Sequence, residues 1–213
     1  MKTWVITGGA ASGKSSFCKM LQSLQPEKIA FYSSDETVHA LFEESSVKKE
    51  LVQLFGEMVV NATSGKVDRV ALRQRVFNHA EDRKVLENLL HPLAFERLTE
   101  LRERLSGDGK TQLLIAEIPL FYETGREFPA DLVILVAVSP AVQRQRMMEK
   151  RGLTSVDVER ILDAQLPLAS KLELAGRVVW NEGDTDLLLR QAQLILHQVN
   201  SPTCTLNPLE PRP

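Results

Sequence analysis

Short apolar runs alternate along this chain with longer segments whose apolar residues recur every three or four positions. Five of the runs are strand-like, at residues 3–7, 29–32, 112–118, 132–138 and 177–180. Residues 14–24 follow the first run and place Phe17, Met20, Leu21 and Leu24 on one helical stripe. Short apolar strands that alternate with helices are typical of a parallel sheet covered on both faces. The pattern therefore predicts an α/β fold, a three-layer sandwich around a five-stranded parallel sheet.

A long segment between the second and third runs is helical in pattern throughout. It covers residues 67–105 and includes VALRQRVF and EDRKVLENLLHPLAFERLTELRERL. Pro92 falls inside it, and because proline is tolerated at a helix start but disruptive inside a helix, we expect an interruption there. The segment predicts a helical insertion beside the sheet. Trp4 and Trp180, which belong to two of the strand-like runs, are predicted to be core residues.

Length, charge and cysteine content exclude several classes of protein. The 213 residues, 43% of them hydrophobic, suffice for one buried core. A formal net charge of -2 disfavours a protein that binds long nucleic acid by neutralising its phosphates. Cys18 and Cys204 have no metal-ligand spacing and form no disulfide framework. No run reaches membrane-spanning length, so we expect a cytoplasmic protein without nucleic-acid or membrane partners, a monomer or a weak homo-oligomer.

A phosphate-binding pattern, G-x-x-x-x-G-K-[ST], follows the first strand. Gly8, Gly13, Lys14 and Ser15 match it between a strand and a helix, which is the context that the motif requires. Lys14 would neutralise the β- and γ-phosphate oxygens, and Ser15 Oγ would ligate Mg²⁺. The motif therefore predicts a P-loop fold with ATP and Mg²⁺ as cofactors and Lys14 as a catalytic residue. The residues predicted to bind the nucleotide here are Gly9, Ala10, Ala11, Ser12, Gly13, Lys14, Ser15 and Ser16.

One residue of the loop departs from the common pattern. Ala11 stands where many such loops carry another glycine. If that position takes a positive φ, the alanine costs about 1 kcal/mol.

The remaining motifs point to one class of kinase. The chain lacks the N/T-K-x-D segment of GTPase switch proteins, and its size and charge favour a small-molecule kinase. Its ordered segments are ITGGAASGKSS, SSDETVHALF, GKVDRVALRQRVF, LENLLHP, IPLFYETG, DLVILVAVSPAVQRQRMM, ERILDAQ and KLELAGRVVWNEG. In their order and spacing, from about residue 3 to about residue 195, the chain resembles the dephospho-coenzyme A kinase family. The resemblance implies ATP-dependent transfer of the γ-phosphoryl group to the ribose 3′-hydroxyl of dephospho-CoA, the last step of coenzyme A synthesis.

The resemblance also implies how the chain is divided. Residues 1–200 would form one P-loop kinase domain. Its core would comprise residues 1–35, 110–140 and 172–200, with a CoA-binding helical insertion at about 36–109 and a lid at about 141–171. Residues 201–213, SPTCTLNPLEPRP, are rich in proline and predict a flexible or surface-draped tail.

A carboxylate after the second strand is the predicted base. A ribose hydroxyl is a poor nucleophile near neutral pH, and Asp35 could accept its proton or orient it. The family usually has Asp-x-Asp here, whereas this chain reads Ser33-Ser34-Asp35, so only the second aspartate is retained. The alternative for Asp35 is an N-cap on a helix that begins near Glu36.

The resemblance assigns further residues to the substrate. Arg69 and Arg73, four apart on one helical face, suit the phosphates of the CoA moiety, as does nearby Arg75, and the alternative is a solvated helix face. His91 could contact substrate or pack at a helix entry. Glu123 matches the family glutamate and is predicted to bind substrate, with a surface or cap glutamate as the alternative. Glu117 and Pro119 follow the third strand, where a carboxylate near Mg²⁺ or the substrate is expected.

A lid is predicted over the ATP. The segment QRQRMMEKR at residues 143–151 contains Arg146, which matches the family's catalytic arginine, whereas the next family arginine falls on Lys150, with Arg151 adjacent. Such cations would close over the phosphates and exclude water. At this point Arg146, Lys150 and Arg151 are all candidates for the cation that closes the site. Arg160 and Gln165 would reach the nucleotide or pack the lid helix.

Two positions near the last strand complete the predicted site. Asn181 ends that strand and is predicted to lie at the nucleotide, where a neighbouring backbone would touch adenine. Gly176 stands where the family often has aspartate.

Two other functions are compatible with the P-loop. One is a different nucleoside or small-metabolite kinase with the same fold. The other is a non-catalytic ATP-binding regulator, which the departures at Ala11, Ser33 and Lys150 suggest.

Overall fold

The five strands are β1 Lys2–Thr7, β2 Ile29–Ser33, β3 Leu113–Glu117, β4 Leu132–Ala137 and β5 Arg177–Trp180. They form a single sheet in the order β2-β3-β1-β4-β5, so that β1 is central and β5 lies at an edge. The computed structural model describes residues 1–125 and 128–200. The pairings of β1 with β3, β1 with β4 and β4 with β5 are parallel. The predicted five-stranded parallel sheet is confirmed.

Helices fill the connections between the strands. The helix predicted over residues 14–24 is confirmed at those bounds. None of the helices in the described ranges is long and apolar enough to span a membrane. In chain order they are α1 Lys14–Leu24, α2 Ser34–Leu41, α3 Ser45–Phe55, α4 Arg69–Asn78, α5 Ala80–Asp108, α6 Pro140–Arg151, α7 Ser155–Asp163, α8 Leu168–Leu174 and α9 Thr185–Asn200.

The chain divides into two compact units. The first comprises residues 1–32 and the described residues from 104 onward, and the second comprises Ser33–Glu103. The predicted tail, residues 201–213, lies outside the described residues.

The core of the first unit joins the sheet to α1 and α9. Phe17 and Leu21 of α1 are fully buried against strand residues such as Trp4 and Ile134. The predicted burial of Trp4 is confirmed, but the same prediction for Trp180 is wrong, because Trp180 is 41% exposed on the edge strand β5. Burial also raises the pKa of the Cys18 thiol, which makes it an unreactive core residue.

The second unit has its own apolar core, and it overrides a local signal at Pro92. The predicted interruption at Pro92 is wrong, because α5 continues through it and the helical segment breaks at His79 instead. Leu89, Leu90 and Leu93, on both sides of the proline, pack on this core. A proline inside a helix costs about 3 kcal/mol, whereas burying one leucine contributes about 1.5–3 kcal/mol. Packing on both sides therefore holds the helix together.

Candidate active site

Four connections of the first unit meet at one edge of the sheet. The phosphate-binding loop follows β1, Glu117 is the last residue of β3, Ser139 follows β4, and Asn181 follows β5. Ile6 pairs with Glu117, and Ala137 pairs with Trp180. Because parallel strands place their carboxyl ends at the same edge, these residues gather there, where open α/β sheets bind ligands.

Two glycines of the loop are required by close contacts. A Cβ on Gly8 would lie 2.2 Å from the Val136 carbonyl oxygen, and a Cβ on Gly13 would lie 2.1 Å from Asn181 Nδ2. Gly13 has φ +92° and begins α1 with no side-chain cap. The first N–H groups of α1 are therefore available to an anion, and the helix dipole favours one there.

Lys14 is held inside the loop. Its Nζ donates to the carbonyl oxygens of Gly8 at 3.0 Å and Gly9 at 2.9 Å, and the residue is only 8% exposed. The charge is thus held at the loop rather than in solvent. A phosphate there would meet a fixed cation.

Ser15 and Glu117 form the hydroxyl–carboxylate pair of the site. Ser15 Oγ donates to Glu117 Oε1 at 2.7 Å, and Glu117 is buried. Both groups are hard oxygen ligands of the kind that Mg²⁺ prefers. Across the described ranges no three His, Cys, Asp or Glu side chains gather into a cation site. The residues present therefore fit Mg²⁺ held through phosphates and few protein ligands, the usual arrangement for this ion, rather than a protein cage.

Ala11 adopts the left-handed backbone conformation on which its predicted cost depended. Its φ is +56°, and no other non-glycine residue of the described chain has a positive φ. The cost of about 1 kcal/mol therefore applies.

A cavity of about 600 Å³ adjoins the loop and contains the three candidate lid cations. Arg146 is half-buried and donates from its guanidinium to the Asn181 carbonyl oxygen at 2.8 Å, whereas Lys150 and Arg151 are exposed. Arg146 is therefore already held in position, whereas the side chains of Lys150 and Arg151 are exposed to solvent. The cavity is lined by Ala11, Gly13, Lys14, Ser15, Ser16, Met20, Arg146, Lys150, Arg151, Asn181, Gly183, Asp184, Thr185 and Leu188.

Asn181 connects the phosphate-binding loop with α6. Its Nδ2 donates to the Ser12 carbonyl oxygen at 2.8 Å, while its own carbonyl receives Arg146. The sequence indicated a nucleotide contact at this position but not the fastening of the loop. A short polar residue directly after a strand was the available signal.

The segment after α7 also contacts the phosphate-binding loop. Ala10 N–H donates to Gln165 Oε1 at 3.2 Å, so Gln165 reaches the phosphate-binding loop itself. Arg144 and Glu159 form an exposed ion pair at 2.6 Å between α6 and α7. It lowers the pKa of the Glu159 carboxyl because the Arg144 guanidinium hydrogen-bonds to it.

Glu123 is a largely buried partner of Lys171 and Leu166 rather than a surface or cap glutamate, so that alternative is wrong. Its Oε1 lies 2.6 Å from Lys171 Nζ and accepts from Leu166 N–H at 3.0 Å. Burial, with the charge of Glu123 as a smaller cause, raises the pKa of neighbouring Tyr122 to about 12. The substrate contact predicted for Glu123 stays a prediction.

Asp35 lies on the second unit, in the first turn of α2. The N-cap there is Ser33, which accepts from Glu36 N–H at 3.3 Å, so the capping alternative for Asp35 is wrong. The serine that replaces the family's first aspartate takes that role. Asp35 is exposed, and its side chain has no hydrogen-bond partner among the described residues.

The arginines of α4 separate into two kinds. Arg75 forms an ion pair with Asp82 at 2.7 Å and stacks over the Phe55 ring, so it stabilises the second unit. Arg69 and Arg73 are exposed and form no ion pair within the described chain. They remain available for an anionic ligand.

The position of His91 in its helix decides in part between the two alternatives given for it. His91 lies within α5, far from either end, so packing at a helix entry is wrong. The contact with substrate stays a prediction.

Gly176 stands where the family often has aspartate, and the space around it is narrow. A Cβ on Gly176 would lie 3.1 Å from Leu132 Cδ1 and 3.2 Å from the Val133 carbonyl oxygen. An aspartate at that position would therefore require its neighbours to shift.

Comparisons with known proteins agree with one another. A sequence model of the dephospho-CoA kinase family matches residues 3–186. A dephospho-CoA kinase of Geobacillus kaustophilus is 33% identical over 194 residues, 91% of this chain and 94% of that protein. A crystal structure from Thermus thermophilus has a TM-score of 0.77 at 31% identity, covering 94% of this chain and 98% of that chain. A dephospho-CoA kinase from Campylobacter jejuni has a TM-score of 0.67 at 26% identity, covering 93% and 98%.

The fold is that of a P-loop kinase, with the loop after the central strand and the cations of α6 lining the same cavity. The family match begins in the first strand and extends beyond Asn181. Motif, fold and similarity therefore lead to the same conclusion, and the chain belongs to the dephospho-CoA kinase family.

Proposed function

We propose that the residues described above carry out the family's reaction on dephospho-CoA in this chain. The ribose 3′-oxygen forms a bond to the γ-phosphorus of ATP, the bond to the β,γ-bridging oxygen breaks, and the hydroxyl proton leaves. The products are coenzyme A and ADP. The observation that carries the proposal is the cavity in which the P-loop and three lid cations face a common space.

The P-loop and lid bind and stabilise the transferred group. Lys14 and the loop N–H groups hold the phosphates, and Asn181 keeps the loop in place through Ser12. Arg146 is the lid cation that acts first because it is already held at the cavity, and Lys150 and Arg151 close later. Charge that spreads over the phosphoryl oxygens in the transition state is stabilised by such preorganised cations.

Mg²⁺ belongs to this site. Ser15 would hold it through Oγ, while the Ser15 hydroxyl still donates its hydrogen bond to Glu117. Bound there, Mg²⁺ would supply positive charge that offsets the negative charge of the phosphates.

The acceptor is assigned to residues of the second unit and to the predicted division of the chain. Asp35 accepts the 3′-hydroxyl proton, since its carboxylate is exposed and not used as a cap. Arg69, Arg73 and His91, all within the insertion at about 36–109, bind the anionic CoA moiety. The core, the lid at about 141–171 and a cytoplasmic location of a monomer or weak homo-oligomer stay predictions.

Acceptor competition with product mass tests this function. ADP release from Mg-ATP is measured with dephospho-CoA, adenosine, CMP or shikimate. We expect a gain of one phosphate on dephospho-CoA alone. Turnover only with another acceptor would assign a sister kinase, and ATP binding without any turnover would assign a regulator.

The Asp35→Asn variant tests the base. We expect turnover to fall by 10²- to 10⁴-fold, the usual contribution of general base catalysis, while dephospho-CoA still binds. Lost binding with unchanged turnover would contradict the assignment. Glu36→Gln, at the next exposed carboxylate of α2, is the matched control and should leave turnover unchanged.

A further inference from the structure

Glu123 and the buried Lys171 form a largely enclosed ion pair in the first unit. Their side chains are 13% and 3% exposed, and the two charged atoms lie 2.6 Å apart. Removing two charges from water costs free energy that their attraction only partly offsets, so such pairs are poor stabilisers compared with apolar packing. A pair of this kind is better explained by what it positions.

The pair positions the lid residue that follows Gln165. Glu123 Oε1 accepts from Leu166 N–H at 3.0 Å, which fixes the backbone directly after Gln165. Gln165 Oε1 in turn accepts from Ala10 N–H of the P-loop at 3.2 Å. Two hydrogen bonds and one peptide unit thus connect the segment after β3 with the phosphate-binding loop.

Packing alone leaves Gln165 incompletely held. A cavity of about 240 Å³ is lined by Gln165, Leu166 and Lys171, together with Gly9 and Ser12 of the loop. A glutamine beside open space retains rotamer freedom, and holding it in one place costs conformational entropy. Because the Leu166 backbone is anchored, the Gln165 side chain loses less conformational entropy when it is held on the loop.

We propose that Glu123 is a positioning residue, which acts with Lys171 through Leu166 to keep Gln165 on the P-loop at Ala10. Its effect on turnover rests on the proposed kinase function. Ala10 lies in the loop that cradles the transferred phosphoryl group, so a displaced Gln165 changes alignment there. Small misplacements of reacting groups cost up to about 10²-fold in rate.

Two double variants separate the charge of the pair from the hydrogen bond to Leu166. Glu123→Gln with Lys171→Met removes both charges and keeps an acceptor for Leu166 N–H. Glu123→Leu with Lys171→Met also removes both charges but removes the acceptor. Both replace the pair by neutral side chains of similar volume, a change that proteins usually tolerate. Gln165→Ala is the reference, and Glu159→Gln, which breaks the exposed lid ion pair elsewhere, is the control.

The first readout is the Ala10 amide in the full-length protein without ligands. We expect its NMR shift and hydrogen-exchange protection to change in Gln165→Ala and in the leucine double variant. The glutamine double variant and Glu159→Gln should match wild type. Equal Ala10 signals in the two double variants would overturn the proposal. This readout needs no turnover, so it still decides if the proposed function fails.

The second readout divides kcat from KM. In the leucine double variant we expect kcat to fall about 10- to 100-fold, as in Gln165→Ala. KM for ATP should change less, because none of these residues lines the cavity beside Lys14 and Arg146. Addition of Gln165→Ala to the leucine double variant should give no further loss, since both changes interrupt one path. A raised KM for dephospho-CoA in both double variants, with an unchanged Ala10 amide, would instead make Glu123 a substrate contact.

Discussion

Asn181 Nδ2 donates to the carbonyl oxygen of Ser12 at 2.8 Å, so a residue after the last strand holds the loop after the first. Asn181 also offers its own carbonyl to Arg146. The Asn181 side chain fastens the loop and its backbone holds Arg146, so the two contacts can be separated by mutation.

Asn181→Ala should loosen the loop while the Arg146 contact to the backbone remains. The variant removes the hydrogen-bond donor of the Ser12 carbonyl. Because Ser12 is buried, the unpaired carbonyl costs about 1–3 kcal/mol in the free energy of unfolding. ATP affinity should fall with it. Chemical denaturation and calorimetric ATP titration measure both, and Asn61→Ala, an exposed asparagine of the second unit, should leave ATP affinity unchanged. An unaltered affinity in Asn181→Ala would contradict the fastening role.

Gly13→Ala should destabilise the protein more than Gly109→Ala. Both glycines have positive φ, +92° and +66°, so each alanine has a conformational cost of about 1–2 kcal/mol. Only at Gly13 does the new Cβ also meet Asn181 Nδ2, at 2.1 Å, whereas nothing lies within 4 Å at Gly109. Equal losses in thermal denaturation would show that the contact with Asn181 yields without cost.

Ala11→Gly should be better tolerated than Ala10→Gly. At Ala11 the glycine removes a left-handed strain of about 1 kcal/mol, which offsets the entropy that glycine adds to the unfolded chain. Ala10 has no such strain, so its glycine variant should lose about 0.5–1 kcal/mol. The free energies of unfolding of the two variants decide the matter, and the same loss in both would mean that Ala11 is relaxed.

Glu117→Gln should raise the Mg²⁺ concentration needed for half-maximal turnover. The Ser15 hydroxyl would lose a charge-assisted acceptor at 2.7 Å, and loss of such an outer partner typically costs 10- to 100-fold in metal affinity or activity. Ser15→Ala should be more severe. Ser23→Ala, at an exposed serine on the same helix, should be silent. Identical Mg²⁺ dependence in Glu117→Gln and wild type would separate Glu117 from the metal.

Glu159 should contribute to stability at neutral pH and lose that contribution in acid. Hydrogen bonding from Arg144 holds the pKa of Glu159 below its ordinary value of 4.5. The ion pair is therefore fully formed above that ordinary value and is lost as the pH falls through the lowered one. Glu159→Gln should be less stable than wild type at pH 7, and the difference should vanish in acid. A difference that stays constant across this range would exclude the ion pair as its cause.

Local pattern was sufficient for much of the fold. Helix α1 has the bounds that its apolar stripe predicted, and all five strands lie where apolar runs occur. Pro92 shows the limit of such reasoning, because the packing of Leu89, Leu90 and Leu93 on both sides decides whether a helix tolerates the proline. That packing involves residues distant in the chain, which periodicity does not register.

By itself, the sequence determined the α/β class, the P-loop with Lys14 and Ser15, and the family, because strands, glycine turns and motifs depend on neighbouring residues. Only the tertiary structure decided that Ser15 meets Glu117, that Asn181 holds Ser12, and that Glu123 pairs with Lys171. Each of these pairs joins side chains or backbone groups from separate strand ends or helices. Their contacts arise from strand order and register, which no local pattern of residues contains.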